Sequence, residues 1–276
     1  ASADFQLARD VFKNDIFGVG LNVMQDQAGS SSLRNLNANL SLSYTKILNR
    51  YANHYLSFGA NAGFLQKSFT PTNLRWDNQW TDTGFDLTNP TGEVSINEAV
   101  MLFDFGAGIN YYYGNRSGSF KGYFGVAAFH LNQPNIEFLG NEEPLYTKYV
   151  VNGGFQFSGN TDVITFFPNF IYANQGPNQL FVFGSDMKFQ LKGGARHTGF
   201  LKESSVAIGL YHRINDAVIP MIKLATGGFN IGISYDITLG NLTRVNNGTG
   251  GPEFSLIYKG GFGKGATSKK VNTKFM

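Results

Sequence analysis

The chain contains no cysteine. Disulfide staples, Cys-ligated zinc, cysteine nucleophiles and iron–sulfur clusters are therefore excluded. Charge is scarce as well: 15% of the 276 residues are Asp, Glu, Lys or Arg, against about 25% in soluble domains. Proline occurs only 8 times. No apolar run approaches the ~20 residues that a membrane-crossing helix needs. The net charge of +3 is small, and part of it lies in the tail at Lys264, Lys269, Lys270 and Lys274. A nucleic-acid binder would gather more basic charge on one face, so nucleic acid is not an expected partner.

What is abundant is aromatic and small: 26 Phe, 13 Tyr and 34 Gly, with a mean hydropathy of only −0.17. The stretch Leu36–Thr45 shows how these are arranged. Leu36, Ala38, Leu40, Leu42 and Tyr44 alternate with Asn37, Asn39, Ser41, Ser43 and Thr45. Side chains alternate across a strand, so one face is greasy and the other is wet and uncharged. Leu56–Phe64, Val151–Ser158 and Phe229–Asp236 repeat the pattern. A charge-poor, aromatic-rich, weakly hydrophobic chain of alternating strands fits an all-β transmembrane antiparallel β-barrel.

The periodicity predicts about thirteen strands. They are Ala3–Arg9, Asp15–Gln25, Leu36–Leu48, Tyr55–Phe69, Met101–Gly114, Ser119–Gln133, Lys148–Ser158, Asp162–Asn174, Gln179–Lys192, Ser205–Ile214, Ala217–Ala225, Phe229–Leu239 and Glu253–Phe262. Connections tend to alternate between short (Asp10–Asn14, Asn49–His54, Gly114–Gly118, Gly159–Thr161) and long (Asp26–Asn35, Thr70–Val100, Pro134–Thr147, Gly240–Pro252). In bacterial outer-membrane barrels the short turns are periplasmic. That parity implies a further strand before Ala1, about fourteen in all, with both termini periplasmic. The alternation weakens between Asn174 and Ala217, where Gln175–Asn178 is too tight and Gly193–Ser204 too long. No signal peptide is visible at Ala1–Asp4, so an outer-membrane chain that is processed, incomplete at its start, or both is expected. Residues 1–263 read as one barrel domain and 264–276 as a basic periplasmic tail, solvated and flexible.

Catalytic and metal patterns are missing. His54, His130, His197 and His212 have no metal-ligand spacing, and there is no His-Glu-x-x-His and no Gly-x-Ser-x-Gly elbow. Ser185-Asp186 reads as lumen lining or rim rather than half of a triad. Gly260–Gly265 lacks the Ser/Thr and the helix of a phosphate-binding loop. No cofactor, metal or catalytic residue is expected. The assignable inward residues are mostly Gly, Ser, Asn and Thr, which suits a narrow or plugged interior better than an ion-selective pore.

The long loop Thr70–Val100 is the most informative connection. It holds both tryptophans of the chain, in Leu74-Arg75-Trp76-Asp77-Asn78-Gln79-Trp80, followed by Phe85. Aromatics beside arginine are what an interface core favours, so Arg75, Trp76, Asp77, Trp80 and Phe85 are candidate partner-binding residues. Two other readings stand beside that one: a plug folded into the lumen, or Trp rings in the interfacial girdle.

Eight stretches resemble, in order, one known family: Asp15–Gly29, Leu40–Tyr44, Leu56–Lys67, Leu74–Gln79, Tyr123–Pro134, Gln175–Pro177, Phe229–Asp236 and Gly250–Tyr258. The chain resembles the PorP/SprF family of type IX secretion system membrane proteins. Members carry an Asn-Pro-Ala turn and an Arg-x-Gln-Trp strand upstream of the equivalent of Asp15, and often end in Cys-Pro-x-Phe; neither feature is present here. The resemblance implies a non-enzymatic barrel in the bacterial outer membrane, in contact with outer-membrane lipid. It also implies work with the type IX translocon and a large secreted cargo, often an adhesin of gliding motility. Such cargo would be docked or anchored at the cell surface through its C-terminal domain. Two alternatives remain: a transport barrel for a small hydrophobic solute, and an outer-membrane enzyme.

Overall fold

A computed structural model describes residues 1–29, 32–70, 74–92, 98–137, 143–159, 163–192, 204–240, 243 and 248–260. The expected tail at 264–276 and His197 lie outside these residues. The described residues form an almost entirely β structure. Its strands are β1 (Ser2–Arg9), β2 (Asp15–Ala28), β3 (Leu33–Ile47), β4 (His54–Ser68), β5 (Trp80–Thr81), β6 (Gly84–Phe85), β7 (Ala99–Gly114), β8 (Phe120–Phe129), β9 (Lys148–Ser158) and β10 (Ile164–Gln175). They continue with β11 (Asn178–Lys192), β12 (Ser204–Arg213), β13 (Ala217–Thr226), β14 (Phe229–Tyr235), β15 (Ile237–Thr238) and β16 (Pro252–Tyr258). Setting aside the two-residue strands β5, β6 and β15, the rest coincide one for one with the thirteen expected from alternation.

Two compact units are distinguished: residues 1–160 with 167–184, and residues 161–166 with 185–276. In the first, neighbours follow chain order, β1-β2-β3-β4-β7-β8-β9-β10-β11. In the second the order is β10-β11-β12-β13-β14-β16, with β15 against β13. The registered pairs are antiparallel, as hairpin connections require. β2 and β3 are in register from Asp15↔Lys46 to Ala28↔Leu33 without a slip. β4 and β7 are paired from His54↔Tyr113 to Ser68↔Ala99.

The distribution of side chains is inverted relative to a soluble protein. Large apolar residues of one face stand exposed, among them Leu40, Leu42, Phe58, Phe103 (63% exposed), Phe124 and Phe155. The opposite face buries polar groups: Asp104 at 1% exposed, Lys121, Gln156, Thr165 and Ser205. An apolar band that faces away from the protein is the signature of a lipid-facing sheet. Small residues let the polar face close up. A Cβ on Gly63 would lie 2.1 Å from the Ala38 carbonyl oxygen, and one on Gly106 would lie 2.3 Å from Asn61 Oδ1.

Departures from the expected elements have local causes. The strand expected to reach Gln133 stops at Phe129, because His130 and Gln133 take left-handed backbone (φ +56° and +42°). β7 meanwhile continues to Ala99, past its last β8 pair, Gly106↔Phe129. The bare edge is covered by the loop. Leu131 N–H donates to the Phe105 carbonyl (3.0 Å). The Asn132 amide donates to the Phe103 carbonyl (2.8 Å) and accepts from Phe105 N–H (3.3 Å). The connection Gln175–Asn178, too tight for an outer loop, is a two-residue hairpin turn with Gly176 at φ +56°. The strand expected over Phe229–Leu239 divides at Asp236. There the β13 ladder skips Ile219 and Pro220, and proline has no N–H to give.

Placing a charge on the exposed apolar face tests this orientation. Leu40, 52% exposed in mid-strand, should not tolerate arginine. Leu40→Arg is expected to destabilise the fold in lipid vesicles by about 2–4 kcal/mol, read from denaturant titration of refolded protein. Wild-type stability in that variant would place this face away from lipid.

Candidate functional site

The loop between β4 and β7 is folded, not slack. Its described part, residues 74–92, belongs to the first unit. A single 3-10 turn at Asp77–Gln79 leads into the hairpin of β5 and β6. Gln79, 4% exposed, is the hub. Its side-chain carbonyl accepts from Trp76 N–H (3.2 Å) and its amide donates to the Asn89 carbonyl (3.2 Å). Its own carbonyl accepts from Asp86 N–H (2.8 Å). One buried side chain thus ties the start of the loop to its return.

On this frame the Trp80 and Phe85 rings stand 5.6 Å apart at 58°. The Arg75 guanidinium lies 5.0 Å from the centre of the Phe85 ring, a cation–π geometry. Trp80 stays 56% exposed and Leu87 70%. Of the five candidate residues, the structure brings Arg75, Trp80 and Phe85 into one cluster. Trp76 is half-buried beside it, and Asp77 is exposed at the 3-10 turn. Gln79 and Leu87 were not anticipated. A polar residue between two tryptophans signals a buried brace only once the hairpin is known.

Asp86 fixes the hairpin exit. Its carboxylate accepts from Thr88 N–H (2.9 Å) and the Thr88 hydroxyl (2.7 Å). These two bonds hold its carboxyl below the usual carboxylate range. A lowered folded-state value means that the turn gains from the charged form at neutral pH. That gain is lost as pH falls through the Asp86 titration.

The polar face carries more charge than its Gly, Ser and Asn content suggested. In the first unit His130 Nδ1 is 2.8 Å from Asp104 Oδ1. In the second unit Asp186 accepts from Lys223 Nζ (2.8 Å) and Tyr211 Oη (2.9 Å). Arg213 there bridges Asp216 and Asp236. The Lys223 and Arg213 contacts are paired charges that brace neighbouring strands, and His130–Asp104 is a close polar contact. Asp186 is engaged by a lysine and a tyrosine, not by a histidine, so Ser185-Asp186 forms no triad. Among the described residues no three His, Asp or Glu side chains converge to hold a metal.

The type IX secretion system membrane protein PorP/SprF family matches residues 1–258. The chain belongs to the PorP/SprF family. It is therefore an outer-membrane protein of the type IX secretion context and not an enzyme. Among solved structures, the Ralstonia pickettii toluene transporter TbuX is similar, with 10% identity and a TM-score of 0.51. That match covers 86% of this chain and 75% of TbuX; at such identity it speaks to fold alone. No curated protein matches the sequence.

Two substitutions probe how this PorP/SprF loop is held. Gln79→Ala would strand Trp76 N–H and the Asn89 carbonyl, at a local cost of about 1–3 kcal/mol. Limited proteolysis should then cut within residues 74–92 faster than in wild type, with the strands intact by circular dichroism. Thr88→Ala should raise the Asp86 titration midpoint toward the ordinary carboxylate value, read by NMR of the side-chain carboxyl. An unmoved midpoint would contradict the role given to Thr88.

Proposed function

We propose that this protein is a closed barrel of about fourteen strands that docks a large secreted protein of the type IX system at the cell surface. The observation that carries the reading is the loop 74–92. It is an ordered hairpin that exposes Trp80 and Leu87 beside an arginine-capped Phe85. Exposed aromatics on a rigid frame bind at little ordering cost, because their rotamers are already set. Short turns mark the periplasmic end of such proteins, which puts this loop at the cell exterior. Family membership supplies the secretion context. The cargo domain would meet Arg75, Trp80 and Phe85, with translocon components as further partners.

A second reading is a transport barrel for a small hydrophobic solute. The fold likeness to a toluene transporter favours it. The buried polar face disfavours it, since Asp104 and His130 would confront an apolar solute.

Trp80→Ala and Arg75→Ala, singly and together, decide between the two. Docking predicts release of secreted cargo into the medium, by about tenfold in the double variant, with the barrel still heat-modifiable on gels. Removing Thr81–Ser95, of which residues 93–95 lie outside the described residues, should do the same. Cargo retained on cells by all four variants would remove this loop from the mechanism. Liposome uptake of a small aromatic hydrocarbon would then favour transport.

A further inference from the structure

The exposed apolar face of the first unit has a hollow near its short-turn end. Cross-strand register explains it. One row across the strands reads His54, Tyr113, Gly122, Phe155. The next reads Leu56, Tyr111, Phe124, Gly153, with the Phe170 ring beside Gly153. Two diagonal glycines thus fall where the neighbouring positions carry rings. Neither has room to spare at its own surface: a Cβ on Gly122 would meet Phe155 at 3.1 Å, and one on Gly153 would meet Phe170 at 2.9 Å. The space between the rings is about 530 Å³, within the ~300–1,000 Å³ of small-molecule sites. Its lining is aromatic, apart from one polar end where His54 Nδ1 is 2.6 Å from Tyr111 Oη.

Two arginines lie on the turns that adjoin His54 and Tyr113 in the chain. The turn 49–53 and the turn 115–119 are adjacent, since Gly114 N–H donates to the Asn53 carbonyl (3.0 Å). Arg116 lies 3.7 Å and Arg50 4.7 Å from the centre of the same Tyr51 ring. Among the described residues no carboxylate pairs with either guanidinium. Two like charges held on one ring repel unless an anion joins them. An apolar slot on an exposed apolar face, with two guanidiniums on the turns that adjoin its polar end in the chain, has the chemistry of one molecule: an anionic lipid.

We propose that this hollow is a binding site for an anionic glycerophospholipid of the periplasmic leaflet. One acyl chain occupies the slot over Gly122 and Gly153, and the phosphate sits against Arg50 and Arg116. Arginine suits this task because its planar fork matches phosphate oxygens. The ring rows around the slot are the interfacial girdle of the sheet. The site is independent of the docking loop, which lies at the other end of β4 and β7.

The test is lipid retention by purified, delipidated full-length protein, followed by native mass spectrometry. The probes are phosphatidylglycerol, phosphatidylcholine and inorganic phosphate. Wild type should hold phosphatidylglycerol about tenfold more tightly than phosphatidylcholine, the margin expected of charge-assisted contacts. Arg50→Gln with Arg116→Gln, both on exposed turns, should erase that preference and leave the fold intact. Gly153→Leu should weaken both lipids by filling the slot. Phe124→Ala provides a second slot variant that adds no bulk to the sheet, and it should reduce retention of both lipids. Equal retention of the two lipids by wild type, or an unchanged preference in the double arginine variant, would overturn the proposal. So would displacement of the lipid by inorganic phosphate at equal concentration, since that marks a bare anion site.

Discussion

Every backbone N–H and C=O in a lipid-immersed wall must find a partner within the protein. The long ladders meet that demand directly. β2 and β3 stay in register along their whole shared length, and so do β4 and β7. The other features follow from keeping such ladders uninterrupted. Glycines such as Gly63 and Gly106 let strands and their polar side chains approach closely. Some charges of the protected face are paired there, as with Asp186 and Lys223. Where the ladder fails, at Pro220, the chain divides β14 from β15 and resumes pairing two residues on.

Most of the sheet was legible in the sequence because alternation is a one-dimensional signal. Each residue declares its face by parity, so strand positions needed no tertiary knowledge. Features without that parity stayed hidden. The hairpin of Trp80–Thr81 and Gly84–Phe85 is too short for a period to register. The left-handed backbone of His130 cut a strand that its residue types would have continued. Asp104 between Phe103 and Phe105 was readable as a buried charge. An average over many Gly and Ser positions obscured it. Of the candidate site, residue types pointed to a segment that the structure shows folded as a braced hairpin. They could not indicate that Gln79 would be the brace, because its partners Trp76 and Asn89 meet only in three dimensions.

The lipid-facing hollow belongs to the same class of hidden feature. Neither Gly122 nor Gly153 is unusual in a chain with 34 glycines. Their meaning comes from which rings oppose them, and register decides that. A slip of one residue between β8 and β9 would put Gln156 opposite Gly122 and close the slot with a polar side chain. The first unit therefore presents two differently built surfaces on the same pair of strands. At one end a loop projects rings on a braced hairpin. At the other end rings recede around missing side chains.

Asn132 takes the place of a strand residue at the edge of β7. A carboxamide carries the same donor and acceptor as a peptide group, and here it fills the place of one beside Phe103 and Phe105. The wall of the sheet thus ends on a side chain instead of a strand. That creates a natural seam for chimaeras. Loop residues after Gln133 can be exchanged with those of a relative, provided that the splice keeps His130 to Asn132 in phase with β7. A splice made two residues earlier would carry off the false peptide and leave a gap in the wall.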